Sequence, residues 1–227
     1  MALIEIQHLD KIYNSTSVAV HALNDVTFNI ERNEFTAIVG PSGSGKTTML
    51  NILGGLDNPT NGLVKIEGTD ISQLKSGQLI DYRLNHIGFV FQAYNLIPVF
   101  TALENVEFIM LLQGVSKKKR EEQALKLLDS VGLSDRVNSR PNQLSGGQQQ
   151  RVAVARALAS QPDFVLADEP TANLDSESAG ALLDLMEDLN KDLGMAFIFS
   201  THDPRVIERA RRVITLQDGA IKSDKMN

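Results

Sequence analysis

Short apolar runs bounded by glycine, proline and acidic residues recur along this chain, and their lengths and periods separate strands from helices. Phe35-Thr36-Ala37-Ile38-Val39 and Phe164-Val165-Leu166-Ala167 are too short for buried helices and end at turn signals, so they read as buried strands. His86 to Phe91 and Phe197 to Thr201 are runs of the same kind. Leu3 to Leu9 and Val64-Lys65-Ile66 read as further strands, and Val26-Thr27-Phe28-Asn29-Ile30 alternates apolar and polar with period two. Between Thr101 and Leu133 the period changes to that of a helix. Leu103, Val106 and Met110 share one face, and Ala124, Leu127, Leu128 and Val131 share another. A further helix is predicted from Gln148 to about Ala159 on Val152, Val154, Ala155 and Leu158. From Asp163 onward strands and helices alternate, as in an α/β core. The pattern predicts a single domain over 1–227, with an α/β core at about 1–92 and 160–227 that begins β-rich, and a helical subdomain at about 93–159.

Composition narrows this picture. A chain of 227 residues buries a substantial core, and no stretch approaches 18 consecutive apolar residues. The start Met1-Ala2-Leu3-Ile4-Glu5 does not read as a cleavable signal, so a soluble protein is expected. The absence of cysteine excludes a disulfide framework and fits a cytoplasmic setting. A net charge of −6 argues against nonspecific nucleic-acid binding, and no nucleic-acid partner is expected.

Three segments carry chemistry. Gly40-Pro41-Ser42-Gly43-Ser44-Gly45-Lys46-Thr47 follows a predicted strand directly and is a complete G-x-x-x-x-G-K-[ST] loop. Its glycines let the backbone bend around phosphate oxygens, so that N–H groups and the next helix N-terminus face the anion. Lys46 adds a charge toward the β- and γ-phosphates, and Thr47 offers a hydroxyl to Mg²⁺. Phe164 to Ala167 delivers Asp168 and Glu169 at a strand's carboxyl end, where open parallel sheets bind ligands. Asp168 suits the Mg²⁺ shell, and Glu169 suits a general base acting on water. Leu144-Ser145-Gly146-Gly147-Gln148 opens the predicted helix with an N-cap serine and two glycines, making a second anion-receiving helix start. Two such starts with one phosphate-loop lysine make sense if each completes a site with another copy.

On these motifs the chain resembles an ATP-binding cassette (ABC) ATPase subunit over essentially its whole length. Gly40 to Thr47 matches that family's Walker A motif, Phe164 to Glu169 its Walker B motif and Leu144 to Gln148 its signature. The resemblance implies a P-loop NTPase core of ABC type, α/β in class, with an antiparallel β subdomain and an inserted helical subdomain. It implies ATP and Mg²⁺ as ligands, with Thr48 joining Gly40 to Thr47 in ATP binding. Further roles follow by resemblance: Gln92 as the Q-loop glutamine that senses Mg²⁺, Asp175 in the D-loop, His202 as the γ-phosphate switch, and Tyr13 as the residue stacking on adenine. Thr47, Gln92 and Asp168 form the implied metal set, and Glu169, His202 and Gln92 the implied catalytic set. His8, His21 and His86 have no motif around them and are assigned no chemistry. Asn33 stands where relatives commonly have Gly and is expected at positive φ, and Ala172 stands where they often have Gly.

Three classes share this cassette. DNA-maintenance ATPases place a long coiled coil inside it, but only about fifty residues separate Gln92 from Leu144, without sustained heptads. Translation-factor ATPases resemble two cassettes in tandem, whereas this chain has one phosphate loop. The remaining class is the ATPase subunit of a membrane transporter, which implies a second copy arranged head to tail and a separate permease. That places the chain peripherally on the cytoplasmic face of the inner (plasma) membrane. Val90 to Pro98, Thr101 to Val106, and LSGGQQQRVAVARAL from Leu144 to Leu158 are similar to the lipoprotein-release and macrolide-exporter group. Phe108-Ile109-Met110 departs from that group, with core packing expected for Phe108, and the permease is expected to dock at about 93–110. The run Lys117-Lys118-Lys119-Arg120 reads as the solvated start of a helix.

Overall fold

The computed structural model describes residues 2–14 and 19–227. The chain opens with β1 (Ile4–Tyr13) and β2 (Val20–Ile30), then β3 (Phe35–Val39) and α1 (Lys46–Leu53). Next come β4 (Asn61–Ile66), β5 (Thr69–Asp70), α2 (Ser76–His86) and β6 (Ile87–Phe91). Three helices follow: α3 (Ala102–Leu112), α4 (Lys117–Ser130) and α5 (Gly146–Leu158). The chain ends with β7 (Phe164–Asp168), α6 (Ser176–Leu193), β8 (Ala196–Thr201), α7 (Pro204–Arg209), β9 (Arg212–Gln217) and β10 (Ala220–Met226).

Two sheets organise these elements. The first is antiparallel, in the order β2-β1-β4-β5. The second has the order β10-β9-β3-β8-β7-β6, parallel from β9 to β6, with β10 closing one edge as an antiparallel hairpin partner of β9. Strands of a parallel sheet are covered on both faces, and successive side chains point to opposite faces. Phe164 and Leu166 of β7, with Ala196 and Ile198 of β8, join α1 and the antiparallel sheet in one core. Val165, Ala167, Phe197 and Phe199 face the other way, against α5 and α6. The aromatic rings of Phe35 and Phe199 lie 4.7 Å apart in that second core.

A third cluster holds α3, α4 and the outer face of α5 together through Val106, Met110, Ala124, Leu128, Val152 and Ala155. Helix α5 contributes Val154, Ala157 and Leu158 to the sheet side as well, so it belongs to both cores. Its approach to β6 is close: a Cβ on Gly88 would stand 2.7 Å from the Ala157 carbonyl oxygen. Helix α5 begins at Gly146, two residues before the predicted start, because Ser145 is its N-cap in a capping box with Gln148. Helix α4 starts at Lys117, placing the basic run in a solvated first turn.

Asn33 adopts φ 61° in the turn between β2 and β3, as its sequence position predicts. Its carbonyl accepts from the buried Asn190 side chain at 3.3 Å, and Asn190 also donates to the Met195 carbonyl at 2.6 Å. Asn33→Val should destabilise the protein by about 1–2 kcal/mol, because a branched Cβ clashes in the left-handed region, whereas Asn33→Gly should be neutral within about 0.5 kcal/mol. Urea titrations of both variants measure the difference.

Candidate functional site

The β3–α1 turn, the ends of β7 and β8, and the β1–β2 ribbon enclose a pocket of about 670 Å³. Tyr13, His21, Gly40, Pro41, Ser42, Gly43, Gly45, Lys46, Thr47, Thr48, Glu169 and His202 line it. Gly45 caps α1 at φ 102°, without a side chain to occupy the helix's first N–H groups. A Cβ there would stand 2.4 Å from the Ala22 carbonyl oxygen. The Lys46 ammonium folds back on its own loop, donating to the carbonyls of Gly40 (2.8 Å) and Pro41 (3.1 Å). Neutral carbonyls are weaker partners for an ammonium than a phosphate is, so an arriving anion competes for the same donor. The Ser44 hydroxyl is buried in this loop without a hydrogen-bond partner. An open helix start, a displaceable ammonium and an unsatisfied hydroxyl together fit a polyphosphate.

Asp168 ends β7, and the Thr47 hydroxyl donates toward its Oδ1 at 3.5 Å. Burial pushes the Asp168 carboxyl up from its ordinary range, and the neighbouring charge of Glu169 adds to the shift, while Lys46 and Thr47 oppose it. A half-buried carboxylate beside a second carboxylate gains from a cation, and the hydroxyl and carboxyl oxygens are hard donors that suit Mg²⁺. No group of three or more His, Cys, Asp or Glu residues among the described ones could hold a metal alone.

Glu169 follows in the left-handed region at φ 46°, a conformation costing a non-glycine residue about 1–3 kcal/mol unless its surroundings enforce it. The surroundings are specific. Its N–H donates to the Ser200 carbonyl at 2.9 Å, the Thr201 hydroxyl donates to Oε2 at 3.1 Å, and His202 Nδ1 lies 2.7 Å from Oε1. The His202 side chain is 75% exposed, while that of Glu169 is 17% exposed, so the ring reaches into the pocket from a partly enclosed carboxylate. Asp203 fixes the segment beyond. It accepts from the Thr171 hydroxyl at 2.6 Å and from the Arg205 guanidinium at 2.7 Å, and its own N–H donates to the Thr201 hydroxyl at 3.0 Å. The Arg205 side chain beside it pulls the Asp203 carboxyl down to about 2.

Tyr13 sits at the pocket's edge with its hydroxyl donating to Asp57 at 2.7 Å. Lys11 binds the other Asp57 oxygen at 2.6 Å and lies 4.8 Å from the centre of the Tyr13 ring. Burial pushes the Tyr13 phenol up. His21, assigned no chemistry from sequence, lines the pocket from β2, whereas the Nδ1 atoms of His8 and His86 lie 2.7 Å and 2.8 Å from carboxylate oxygens of Asp25 and Asp163. Sequence reasoning also missed Lys11, Asp57, Thr171, Asp203 and Arg205. Asp203-Pro204 carries the signature of a capped helix start, and the others give no local signal.

The remaining motif residues gather elsewhere. Gln92 follows Phe91, which pairs with Asp168, but its side chain is exposed and absent from the pocket lining. Its carbonyl accepts from the Asn173 side chain at 2.9 Å. Leu144 is buried, Ser145 and Gln148 bond each other's backbones, and Gly146 and Gly147 lie against Tyr94 and Ser178. Asp175 caps α6, and the backbone N–H of Ser178, at 2.9 Å, holds its carboxyl down. Within one chain, then, the glycine-rich turn before α5 faces the start of α6, and none of its residues lines the pocket of Lys46.

A separate groove of about 460 Å³ opens between α2, β6, the segment after it, α3 and α5. Ile80, Ile87, Phe89, Ile97, Phe108 and Ile109 form most of its apolar wall. Sequence reasoning expected Phe108 in the core, and the structure corrects that. Phe108 is half-buried on the groove, with its ring edge-on to Phe100 at 5.8 Å, because Val106 and Met110 occupy the inward face of α3.

Comparison with known proteins adds an independent line. The family profile described as "ABC transporter" matches residues 23–172. An ABC transporter ATP-binding protein from Thermotoga maritima, itself uncharacterized, is 48% identical over 97% of this chain and 94% of its own. The lipoprotein-releasing system ATP-binding protein LolD of Legionella pneumophila is 46% identical over 95% of both chains. The macrolide export ATP-binding/permease protein MacB of Hyphomonas neptunium is 48% identical over 99% of this chain, which spans 35% of that longer protein. Among solved structures, the dimeric post-hydrolysis form of the ATP-binding cassette MJ0796, bound to ADP and Pi, superposes with a TM-score of 0.90 at 43% identity, covering 98% of each chain.

Removing the Asp203 clamp should be felt in stability with a defined pH dependence. Its carboxyl titrates lower in the folded state than the ordinary value, so its contribution is present above about pH 4 and fades as pH falls through about 2. Asp203→Asn should cost about 1.5–3 kcal/mol near neutral pH, and the gap from the parent should close progressively below pH 4. Denaturant titrations at pH 7 and pH 2.5 check both parts.

Proposed function

The chain belongs to the ABC transporter family and is one of its ATP-hydrolysing ATP-binding subunits, and from that premise we propose that two copies work head to tail on a separate membrane permease to export or extract a substrate. The observation that carries the two-copy part is the separation of the Ser145-Gly146-Gly147 turn from the Lys46 pocket within one chain. An anion-receiving helix start with no anion donor of its own is explained if it closes on the γ-phosphate held by the other copy. The MJ0796 cassette structures, described as dimeric, support an assembly of two copies.

In this reading Lys46 leaves its loop carbonyls for the β- and γ-phosphates of ATP, and the N–H groups of the Gly40 to Thr48 segment hold the remaining oxygens. Tyr13, with its hydroxyl tethered by Asp57, presents its ring to adenine. Thr47 and Asp168 would hold Mg²⁺, which when bound neutralises phosphate charge, whereas the exposed Gln92 side chain does not reach them in this structure. Glu169 accepts the proton of the attacking water, and His202, whose Nδ1–H donates to that carboxylate, donates from Nε2 to the γ-phosphate in its doubly protonated form.

The export direction rests on the names of the LolD and MacB relatives. Among the described residues no helix is long and apolar enough to cross a membrane. By analogy with the LolD relative, named as the ATP-binding protein of a releasing system, we assign the membrane-spanning part to a separate permease that would hold this chain peripherally at the cytoplasmic face. The apolar groove beside Phe108, overlapping 93–110, is the surface we assign to that permease. Pro98→Glu and Phe108→Glu should each reduce co-purification with the membrane partner, measured by quantitative pull-down from detergent extracts. Undiminished recovery of both variants would move the docking surface elsewhere.

Lys46→Ala should weaken ATP binding about tenfold or more and abolish turnover, read by nucleotide fluorescence titration and phosphate release. Glu169→Gln keeps the side chain's shape but loses the base, so turnover should fall by roughly 10²–10⁴-fold. With ATP that variant should elute from a sizing column as a dimer, and adding Ser145→Arg should return it to monomer. A Glu169→Gln protein that stays monomeric at saturating ATP contradicts the composite site.

A further inference from the structure

Lys11 and Asp57 stand behind Tyr13, outside the lining of the pocket that Tyr13 borders. Asp57 Oδ2 accepts from the Tyr13 hydroxyl at 2.7 Å, and Oδ1 accepts from the Lys11 ammonium at 2.6 Å. The same ammonium donates to the Asn58 carbonyl at 2.7 Å and lies 4.8 Å from the centre of the Tyr13 ring, within cation–π range. Because Lys11 does not line the pocket, it backs the ring from the side turned away from it. The pair is well enclosed, with the two side chains 12% and 28% exposed, and every charged atom in it has a hydrogen-bond partner. Burial by itself would raise the Asp57 carboxyl, but the hydrogen bonds from Lys11 and Tyr13 hold it below its usual range.

Strand pairing does not fix the ring by itself. The ladder between β1 and β2 shifts register between Leu9 and Lys11 and again between Lys11 and Ile12, and such irregularities re-aim the side chains beside them. The direction of Tyr13 is therefore left to contacts from elsewhere. Asp57 supplies one from the other half of the site. It follows α1, and its own N–H donates to the Asn51 carbonyl of that helix at 3.2 Å. Helix α1 begins at Lys46, in the phosphate loop, so the Asp57 bond ties the ring to the element whose N-terminus receives phosphate. We propose that Lys11 and Asp57 are positioning residues for the purine: Asp57 holds the Tyr13 ring at a set distance from the phosphate loop, and Lys11 holds Asp57 and backs the ring. This rests on the reading of Tyr13 as the residue stacking on adenine, and adds the two residues that make the ring a fixed platform. A ring already held in place has little rotamer freedom left to lose when the base arrives.

Calorimetric titration of the full chain with ATP and with inorganic tripolyphosphate, both without Mg²⁺ so that nothing is hydrolysed, separates the base from the phosphates. Tyr13→Ala sets the scale, with ATP binding weakened roughly 5- to 150-fold for a lost stacking contact. Tyr13→Phe keeps the ring but removes its tether, and Asp57→Ala removes the acceptor. Each should weaken ATP about 2- to 10-fold while tripolyphosphate stays within about twofold of the parent. Lys11→Met should act in the same direction as Asp57→Ala. Because the two ends of one bond are being removed, the Tyr13→Phe, Asp57→Ala double variant should lose less than the product of the single effects. If Tyr13→Ala weakens ATP while Tyr13→Phe and Asp57→Ala bind it at parental affinity, the positioning proposal is overturned and the stacking reading stands. Parental ATP affinity in Tyr13→Ala would overturn the stacking reading and the proposal with it. Equal loss of ATP and tripolyphosphate in Tyr13→Phe and Asp57→Ala would mean that the pair supports the fold rather than the purine, and would overturn the proposal as well.

Discussion

The parallel pairing of β6, β7, β8 and β3 is the constraint on which the rest of this structure depends. Its register sets Val39 beside Thr201, Asp168 beside Ser200 and Phe91 beside Asp168. The residues following these strands, distant in sequence, therefore leave the sheet at one edge. A slip of one residue would turn each strand's side chains to the opposite face and exchange the two cores. The alternation of Phe164 and Leu166 with Val165 and Ala167 holds the register, because both faces are filled.

The fold invests this rigidity in a few unfavourable local conformations. Glu169 sits in the left-handed region, and the bonds that hold it there come from Ser200, Thr201 and His202, all at the end of β8. Asp203 then ties the same segment to Thr171 and Arg205. A carboxylate so fixed has little freedom to lose when a water or phosphate arrives, which is the advantage of preorganisation.

Helix α5 joins the distant parts. Ser145 caps its start, Val152 and Ala155 face the α3–α4 cluster, Val154 and Leu158 face the sheet, and Arg156 holds the carbonyls of Tyr94 and Asn95 at the groove. Tyr94 and Asn95 both adopt positive φ, so the segment after β6 is held in an unusual shape by that guanidinium. A single helix therefore carries the Ser145 cap at one end and the groove arginine near the other. Asn173, bonded to the Gln92 carbonyl, closes a second link between the same regions.

Much of this was legible in the chain's own order of residues. Gly40 to Thr48 is contiguous, and a contiguous loop between a strand and a helix carries its geometry locally; the Ser145 cap and the positive φ of Asn33 are local in the same way. The β7 and β8 runs announced themselves because a strand buried on both faces must be apolar throughout. What the sequence left open was set by contacts between distant positions. Tyr13 and Asp57 are 44 residues apart, His21 reaches the pocket only because β2 crosses beside the phosphate loop, and Phe108 lines a groove whose other walls come from α2, β6 and α5. Helical periodicity places Phe108 on a face but does not say which neighbour covers that face. Only the tertiary structure decided that this face borders an open groove rather than the core.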